Sequence, residues 1–441
     1  MQSSRCRPLN LCWIPPVLSL FFYNLLLFLI FPFVLAKIYF RSLSQPAYRE
    51  RIAERMGSIP IIKDKKTIWV HAVSVGEVIA AAPLIKLLKN TYDQHQILVT
   101  TSTPTGSEQL LKLFPEGIVH VYAPYDLPFI VKRFLDRTHP ELALVMETEI
   151  WPNLFNQCHQ RGIPLMLVNA RLSARSAASY RRVLPLTRRV LECITLVAVQ
   201  NKTDAERFVQ LGMDKTRLEV TGSIKFDLAI ADDLLEQAQV LRRQLGRDRP
   251  VWIAASTHEG EDEMILEALQ DVSKVVSDVL LILVPRHPDR FDRVASLCSK
   301  YQLETVRRSE SVPCQPETRV YLGDTMGELL MLYAAADVAF IGGSLVETGG
   351  HNPLEPAALG LASVVGPHMF NFADITQRLL DQKGIIQVSG AIELAGQIQQ
   401  LLLSPDERQQ MGEDAAAFVA ENKGALLKLQ QLIADVMQEK I

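Results

Sequence analysis

The sequence predicts an α/β protein: two Rossmann-like lobes facing each other across a cleft, preceded by one apolar helix that anchors the chain in a membrane. Three observations carry this expectation. Short apolar runs alternate with helical patterns through two successive halves, as in parallel sheets covered on both faces. At 441 residues the chain is longer than one ordinary core serves, so two domains are expected. Near the amino terminus, every residue from Val17 to Ala36 is apolar or aromatic except Ser19, Asn24 and Pro32.

In chain order, residues 1–16 form a tail carrying Arg5 and Arg7, and residues 17–40 form the anchor. About 20 apolar residues rising 1.5 Å each cross a hydrocarbon core of roughly 30 Å. A cleaved signal peptide is the competing reading, because Val34 and Ala36 suit a small-residue cleavage site; its apolar region normally runs about 7–15 residues. The basic residues that follow (Lys37, Arg41, Arg49, Arg51, Arg55) outweigh those before and assign the body to the cytoplasm. A basic amphipathic stretch, Tyr48 to Met56, opens the first lobe, residues 41–228. Its strand-like runs are Ile68–Ser74, Ile97–Ser102, Val119–Ala123, Leu142–Met146, Leu165–Asn169 and Leu196–Gln200, with helical patterns such as Val78–Lys89 and Ser107–Phe114 between them. The polar helical stretch Asp232 to Gly246 marks a linker at 229–247. The second lobe, 248–441, repeats the pattern at Val251–Ala255, Val279–Val284, Arg319–Leu322, Val338–Ile341 and Ser363–Val365, and its tail is helical from Asp406. In such sheets ligands bind beyond the carboxyl ends of the strands.

A net charge of −3 argues against wholesale nucleic-acid binding. Six cysteines without a C-x-x-C pair suit a reducing compartment and offer no zinc site. No H-E-x-x-H or D-x-D occurs, so neither metal nor cofactor is expected.

The most informative run is Ile341 to Pro356. An apolar strand, Asp337–Ile341, leads through glycines to Asn352 as a helix N-cap, Pro353 at the first helical position and Glu355 completing a capping box. A glycine-rich turn into a helix start is an anion site in waiting; a well-capped helix is the plainer alternative. The run lacks the dinucleotide and P-loop spacings. Reactive residues recur at other strand ends. Gly76 and Glu77 follow Trp69–Val75, where Glu77 is either a helix-dipole residue or a general base. Glu147 and Glu149 end the fourth strand beside Trp151, and Lys225 lies in Val220–Asp227. Ser256, Thr257 and His258 are placed to donate to an anion, and Arg286 can grip a phosphate or carboxylate with two prongs. Gly323–Glu328 adds a further tight turn.

These residues resemble the Kdo (3-deoxy-D-manno-octulosonic acid) transferases of lipopolysaccharide assembly. The resemblance covers nearly the whole chain after about Tyr48. It rests on His71–Glu77, Glu147–Asn153, Asn169–Ser173, Gly222–Asp227, Pro285–Pro288 and the run through Glu355. It implies a GT-B glycosyltransferase, held at the inner membrane, that moves Kdo from CMP-Kdo to a lipid A precursor without a metal. It also implies Glu77 as proton acceptor and Glu147 and Lys225 as transition-state stabilisers. CMP contacts fall on Pro285, Arg286, Met326, Gly327, Glu328, Asn352, Pro353, Leu354 and Glu355. The runners-up are a GT-B transferase using a UDP-sugar and a bilobal periplasmic binding protein.

Between Arg171 and Arg189 lie six arginines and no acid, a local reversal of sign. Arg171, Arg175, Arg181 and Arg182 are therefore expected to face the acceptor phosphates or anionic headgroups, although a solvated helix face has the same composition.

Overall fold

The computed structural model describes residues 16–438 except 63–64, 229 and 232. The expected tail before residue 16 lies outside the described residues.

The chain divides into two compact units, residues 1–227 with 423–441, and residues 228–422. The first holds a seven-stranded, all-parallel sheet: β1 (Lys66–His71), β2 (His95–Thr101), β3 (Val119–Tyr122), β4 (Pro140–Met146), β5 (Leu165–Ala170), β6 (Leu196–Val199) and β7 (Leu218–Val220). Its spatial order is β3-β2-β1-β4-β5-β6-β7. The second sheet contains β8 (Val251–Thr257), β9 (Leu280–Pro285), β10 (Thr305–Arg307), β11 (Val320–Leu322), β12 (Val338–Ile341), β13 (Ser363–Val365) and β14 (Ile386–Gln387), again all parallel. Its order is β10-β11-β9-β8-β12-β13-β14. Central strands are buried on both faces, which is why Ile68–Val70, Leu142–Met146 and Val251–Ala255 read as continuous apolar runs rather than alternating ones. The short edge strands β7, β10 and β14 escape a sequence reading, because Leu218, Thr305 and Ile386 are only partly buried and carry polar neighbours.

Three expectations are corrected. The polar stretch at 229–247 is not a free linker: helix Leu234–Leu245 buries Ala238, Leu241 and Leu245 against Val251, Ile253 and Ile282 of the second sheet. The terminal helix Ala425–Gln438 belongs to the first unit, not the second. Its Leu429, Ile433 and Val436 pack with Val78 and Ile85, and Asp227 accepts the Gly424 and Leu426 N–H groups at 2.7 and 2.6 Å. The apolar helix spans Pro16–Ser44 and is no detached anchor. Tyr23 donates to Asp126 Oδ2 at 2.9 Å, Asn153 donates to Asn24 Oδ1 at 2.7 Å, and Phe28 stacks on Phe129.

Candidate active site

Doubly wound sheets bind ligands where strand order reverses, because the two neighbouring crossovers leave in opposite directions. In the first unit that point lies between β1 and β4. Glu77 follows β1 in the first turn of helix Val75–Thr91. Ser74 caps this helix, accepting the Glu77 N–H at 3.3 Å and donating its hydroxyl to Glu77 Oε1 at 2.9 Å. Glu77 Oε2 accepts the Val73 N–H at 2.9 Å, so the carboxyl does reach back as a capping group. It is also 6% exposed. Burial, aided by the charges of Glu149 and Glu147, pushes it up to about 7 against the bonds from Val73 and Ser74. A carboxylate poised near neutrality suits proton abstraction. A Cβ at Gly76 would meet only the Ser74 hydroxyl, at 4.0 Å, so the backbone there is open to a ligand.

Glu147 follows β4 with φ +52°, a left-handed conformation unusual outside glycine and frequent at functional sites. Its carboxylate pairs with Arg171 at 2.8 Å and approaches Lys225 Nζ at 3.9 Å. Arg171 thus belongs to this cluster while its side chain stays exposed. Burial lowers the Lys225 pKa, Glu147 opposes that and Arg171 adds to it. Lys225 rides on the single turn Ile224–Phe226, which Asn169 holds: its Oδ1 accepts Ser223 Oγ and the Ile224 N–H, both at 3.2 Å. Asn169 itself has φ +53° and sits where the register between β5 and β6 slips, a bulge that turns its side chain toward the Lys225 turn. Trp151 Nε1 donates to Glu149 at 2.9 Å, and its ring meets the His71 ring edge-on at 4.8 Å. Burial drops the His71 pKa to about 3, so this imidazole is neutral.

Arg175, Arg181 and Arg182 are exposed on or at the end of helix Ala174–Arg182. Arg55, expected in the basic flank, is instead buried over the Tyr122 ring at 3.9 Å.

In the second unit the reversal lies between β8 and β12. Arg286 follows Pro285 at the end of β9, its N–H on the Thr257 carbonyl at 3.0 Å. His258 and His351 join across the reversal, Nε2 to Nε2 at 2.9 Å with rings stacked 5.1 Å apart. Burial, then His258, holds His351 near 3, so this ring stays neutral at neutral pH. Gly327 has φ +87° with open space around it and Met326 is exposed, while the Glu328 carboxylate is held by Arg308 and Thr325.

The glycine-rich run differs from its sequence reading in two ways. Its first N–H groups are already filled. Glu261, fully buried, accepts from Gly343, Ser344 and Leu345 at 2.6, 2.9 and 2.9 Å, and from His258 at 2.9 Å. A Cβ at Gly342 would lie 2.7 Å from the Ala255 and Ser256 carbonyls, so this glycine lets two strand ends close up rather than admit a phosphate. Secondly, the helix is only Leu354–Ala358, with Pro353 as its N-cap. Asn352 Oδ1 accepts the Leu354 N–H at 3.1 Å, and its amide donates to Glu355 Oε1 at 3.2 Å, side chain to side chain. Burial raises the Glu355 pKa, opposed by Asn352 and by the charge of Arg286. Thr257 is likewise unavailable, its hydroxyl bonded to Asp262 at 2.6 Å.

Sequence reasoning missed the supporting roles of Asn169, Glu261 and Asp227. The only signal for Glu261 was its place among acids at a helix start. Among the described residues, no three of His, Cys, Asp or Glu are grouped to hold a metal ion.

Comparison with known proteins agrees with both units. Residues 50–228 match the family described as 3-deoxy-D-manno-octulosonic-acid transferase (kdotransferase), and residues 256–418 match glycosyl transferases group 1. A 3-deoxy-D-manno-octulosonic acid transferase of Haemophilus influenzae is 42% identical over 96% of this chain and 99% of its own. One from Bordetella pertussis is 38% identical over 83% of this chain and 87% of its own. HepE from Anabaena, crystallised with UDP, superposes with a TM-score of 0.53 at 16% identity, covering 85% of this chain and 100% of its own; that likeness shows a shared GT-B fold.

Proposed function

The chain belongs to the Kdo transferase family and is a glycosyltransferase, and from that premise we propose an inverting transfer of Kdo from CMP-Kdo to a lipid A precursor at the inner membrane, with Glu77 as general base. The observation that carries this reading is Glu77 itself, a buried carboxyl raised to about 7 at the strand-order reversal, beside a second acid paired with a lysine. At neutral pH such a group is partly ionised and can accept a proton.

In the proposed step Glu77 takes the proton of the acceptor hydroxyl as its oxygen bonds to the anomeric carbon of Kdo. The bond from that carbon to the phosphate oxygen breaks, and its electron pair leaves with CMP. One displacement inverts the anomeric carbon and needs no covalent enzyme intermediate. The acceptor hydroxyl is a poor nucleophile, so a base is the minimum requirement, whereas CMP leaves readily. Lys225, braced by Glu147, offsets negative charge on the Kdo carboxylate or the departing phosphate. The donor is assigned to the second unit, with Pro285 and Arg286, Met326 to Glu328 and Asn352 to Glu355 around CMP. Arg286 supplies charge to its single phosphate, so the assigned residues meet that charge without a cation.

Arg175, Arg181 and Arg182 are proposed to meet acceptor phosphates or headgroups, and the apolar helix to keep the enzyme at the membrane with both units in the cytoplasm. Labelled CMP-Kdo and lipid A precursor supplied to the purified chain test the reading. Labelled Kdo is expected on the lipid in the configuration opposite to the donor; retention, or no transfer from this donor, would overturn it.

A further inference from the structure

The helix Pro16–Ser44 meets the rest of the first unit through Tyr23, Asn24, Phe28 and Phe31. The adjacent Tyr23 and Asn24, then Leu27, Phe31, Leu35 and Ile38 at intervals of three or four residues, form one partly shielded stripe, and Ser42 beyond them is 1% exposed. Docking is specific as well as apolar. Tyr23 and Asn24, polar groups in an otherwise apolar run, bond to Asp126 and Asn153, Phe31 meets the Tyr125 ring at 5.3 Å, and the helix packs against helix Leu184–Glu192.

The opposite stripe is bare. Phe21, Phe22, Leu29, Phe33, Phe40 and Leu43 are 50–74% exposed. A continuous apolar face of this length needs an apolar cover. If the helix stood across a bilayer in this docked state, its neighbours would enter the hydrocarbon too, among them Asp126 and the helix bearing Arg188, Arg189 and Glu192. Charges in that setting are costly. Lying flat avoids the conflict, because only the bare stripe then enters the lipid. Charge agrees: the exposed Arg181 and Arg182 directly precede the Leu184–Glu192 helix on this flank, where anionic headgroups would sit.

We propose that this helix lies in the plane of one leaflet, docked lengthwise on the first unit, and does not cross the bilayer. The inference rests on the reading that the chain is membrane-attached, and it departs from the spanning anchor expected from length and hydropathy. Cys6 and Cys12 precede the helix, and the remaining cysteines follow it. A spanning helix places those two thiols outside the inner membrane, whereas an in-plane helix keeps every thiol on the cytoplasmic side.

The test uses the full chain in native membranes. A membrane-impermeant maleimide is applied to intact spheroplasts and to inverted vesicles, each scored against the denatured sample. The expected result is labelling near background in spheroplasts and clear labelling in inverted vesicles. Strong labelling in spheroplasts would overturn the in-plane arrangement while leaving membrane attachment intact. Recovery of the chain in the soluble fraction would instead overturn attachment itself. Docking is checked separately with Phe28→Cys and Phe129→Cys, whose parent rings lie 6.2 Å apart. A disulfide formed in the membrane supports the docked helix, and its absence under conditions that oxidise a control pair counts against it.

Discussion

Replacing Glu77 with glutamine separates its two roles. Glutamine keeps the length of the side chain and an oxygen for the Val73 N–H, so the cap of helix Val75–Thr91 should survive. What disappears is a titratable group. Folding raises the Glu77 pKa from 4.5 to about 7, so the folded chain holds that proton more tightly than the unfolded chain does. This contribution to stability is fully present below about pH 4.5 and is lost as pH rises toward 7. The gap corresponds to about 3 kcal/mol of cost for keeping the buried carboxylate ionised above pH 7. Urea melts at pH 5 should therefore find Glu77→Gln nearly as stable as the parent, while at pH 9 it should gain up to about 3 kcal/mol. Transfer should fall by about 10²–10⁴-fold above pH 7, by less in acid where the parent's own base is protonated, with CMP binding unchanged. The parent's kcat should rise tenfold per pH unit below about 7 and then level off. A variant that turns over normally, or that is unstable at pH 5, would refute the argument and leave Glu77 a capping residue.

Four further outcomes are expected. Arg286→Ala should weaken CMP binding by about 10–100-fold in calorimetry, the worth of a lost charge-assisted bond. Lys225→Met should lower kcat while leaving CMP affinity unchanged, and measurable loss of CMP binding would count against its assignment to the reacting centre. Asn169→Leu should cost about 1–3 kcal/mol in urea unfolding, because two bonds to the Lys225 turn are lost at a left-handed position, whereas Asn169→Asp keeps the acceptor oxygen and should retain most stability. Replacing Arg181 and Arg182 together with glutamine should raise the acceptor KM and flatten its salt dependence, with donor KM unaffected; unchanged acceptor kinetics at low salt would remove them from that surface.

Much of the candidate site was legible because strand ends announce themselves. An apolar run followed by Gly-Glu, Glu-Thr-Glu or Pro-Arg marks where a buried strand gives way to a polar turn, and that boundary depends on local composition alone. Alternation of such runs with helical patterns was enough to predict two parallel-sheet units. The apolar stretch at Val17–Ala36 likewise predicted a helix, since length and hydropathy are local quantities.

What the chain does with distant residues was not legible. Glu261 looked like a helix first-turn acid, yet it fills the glycine turn some 80 residues away, at Gly343 and Ser344. Arg171 looked like one member of a basic surface, but its partner is Glu147, just past the end of the neighbouring strand. The last helix followed the second lobe in sequence and returned to the first unit, because Asp227 caps its start and the first core offers an apolar groove. Sequence by itself determined the central strands and most helices, through periodicity and the residues that start and stop them, but not the short edge strands β7, β10 and β14. Only the tertiary structure decided which unpaired N–H meets which carboxylate, and on which surface the apolar helix lies. Those choices are made by burial: a polar group taken out of water must find a partner, and the fold brings that partner from anywhere in the chain.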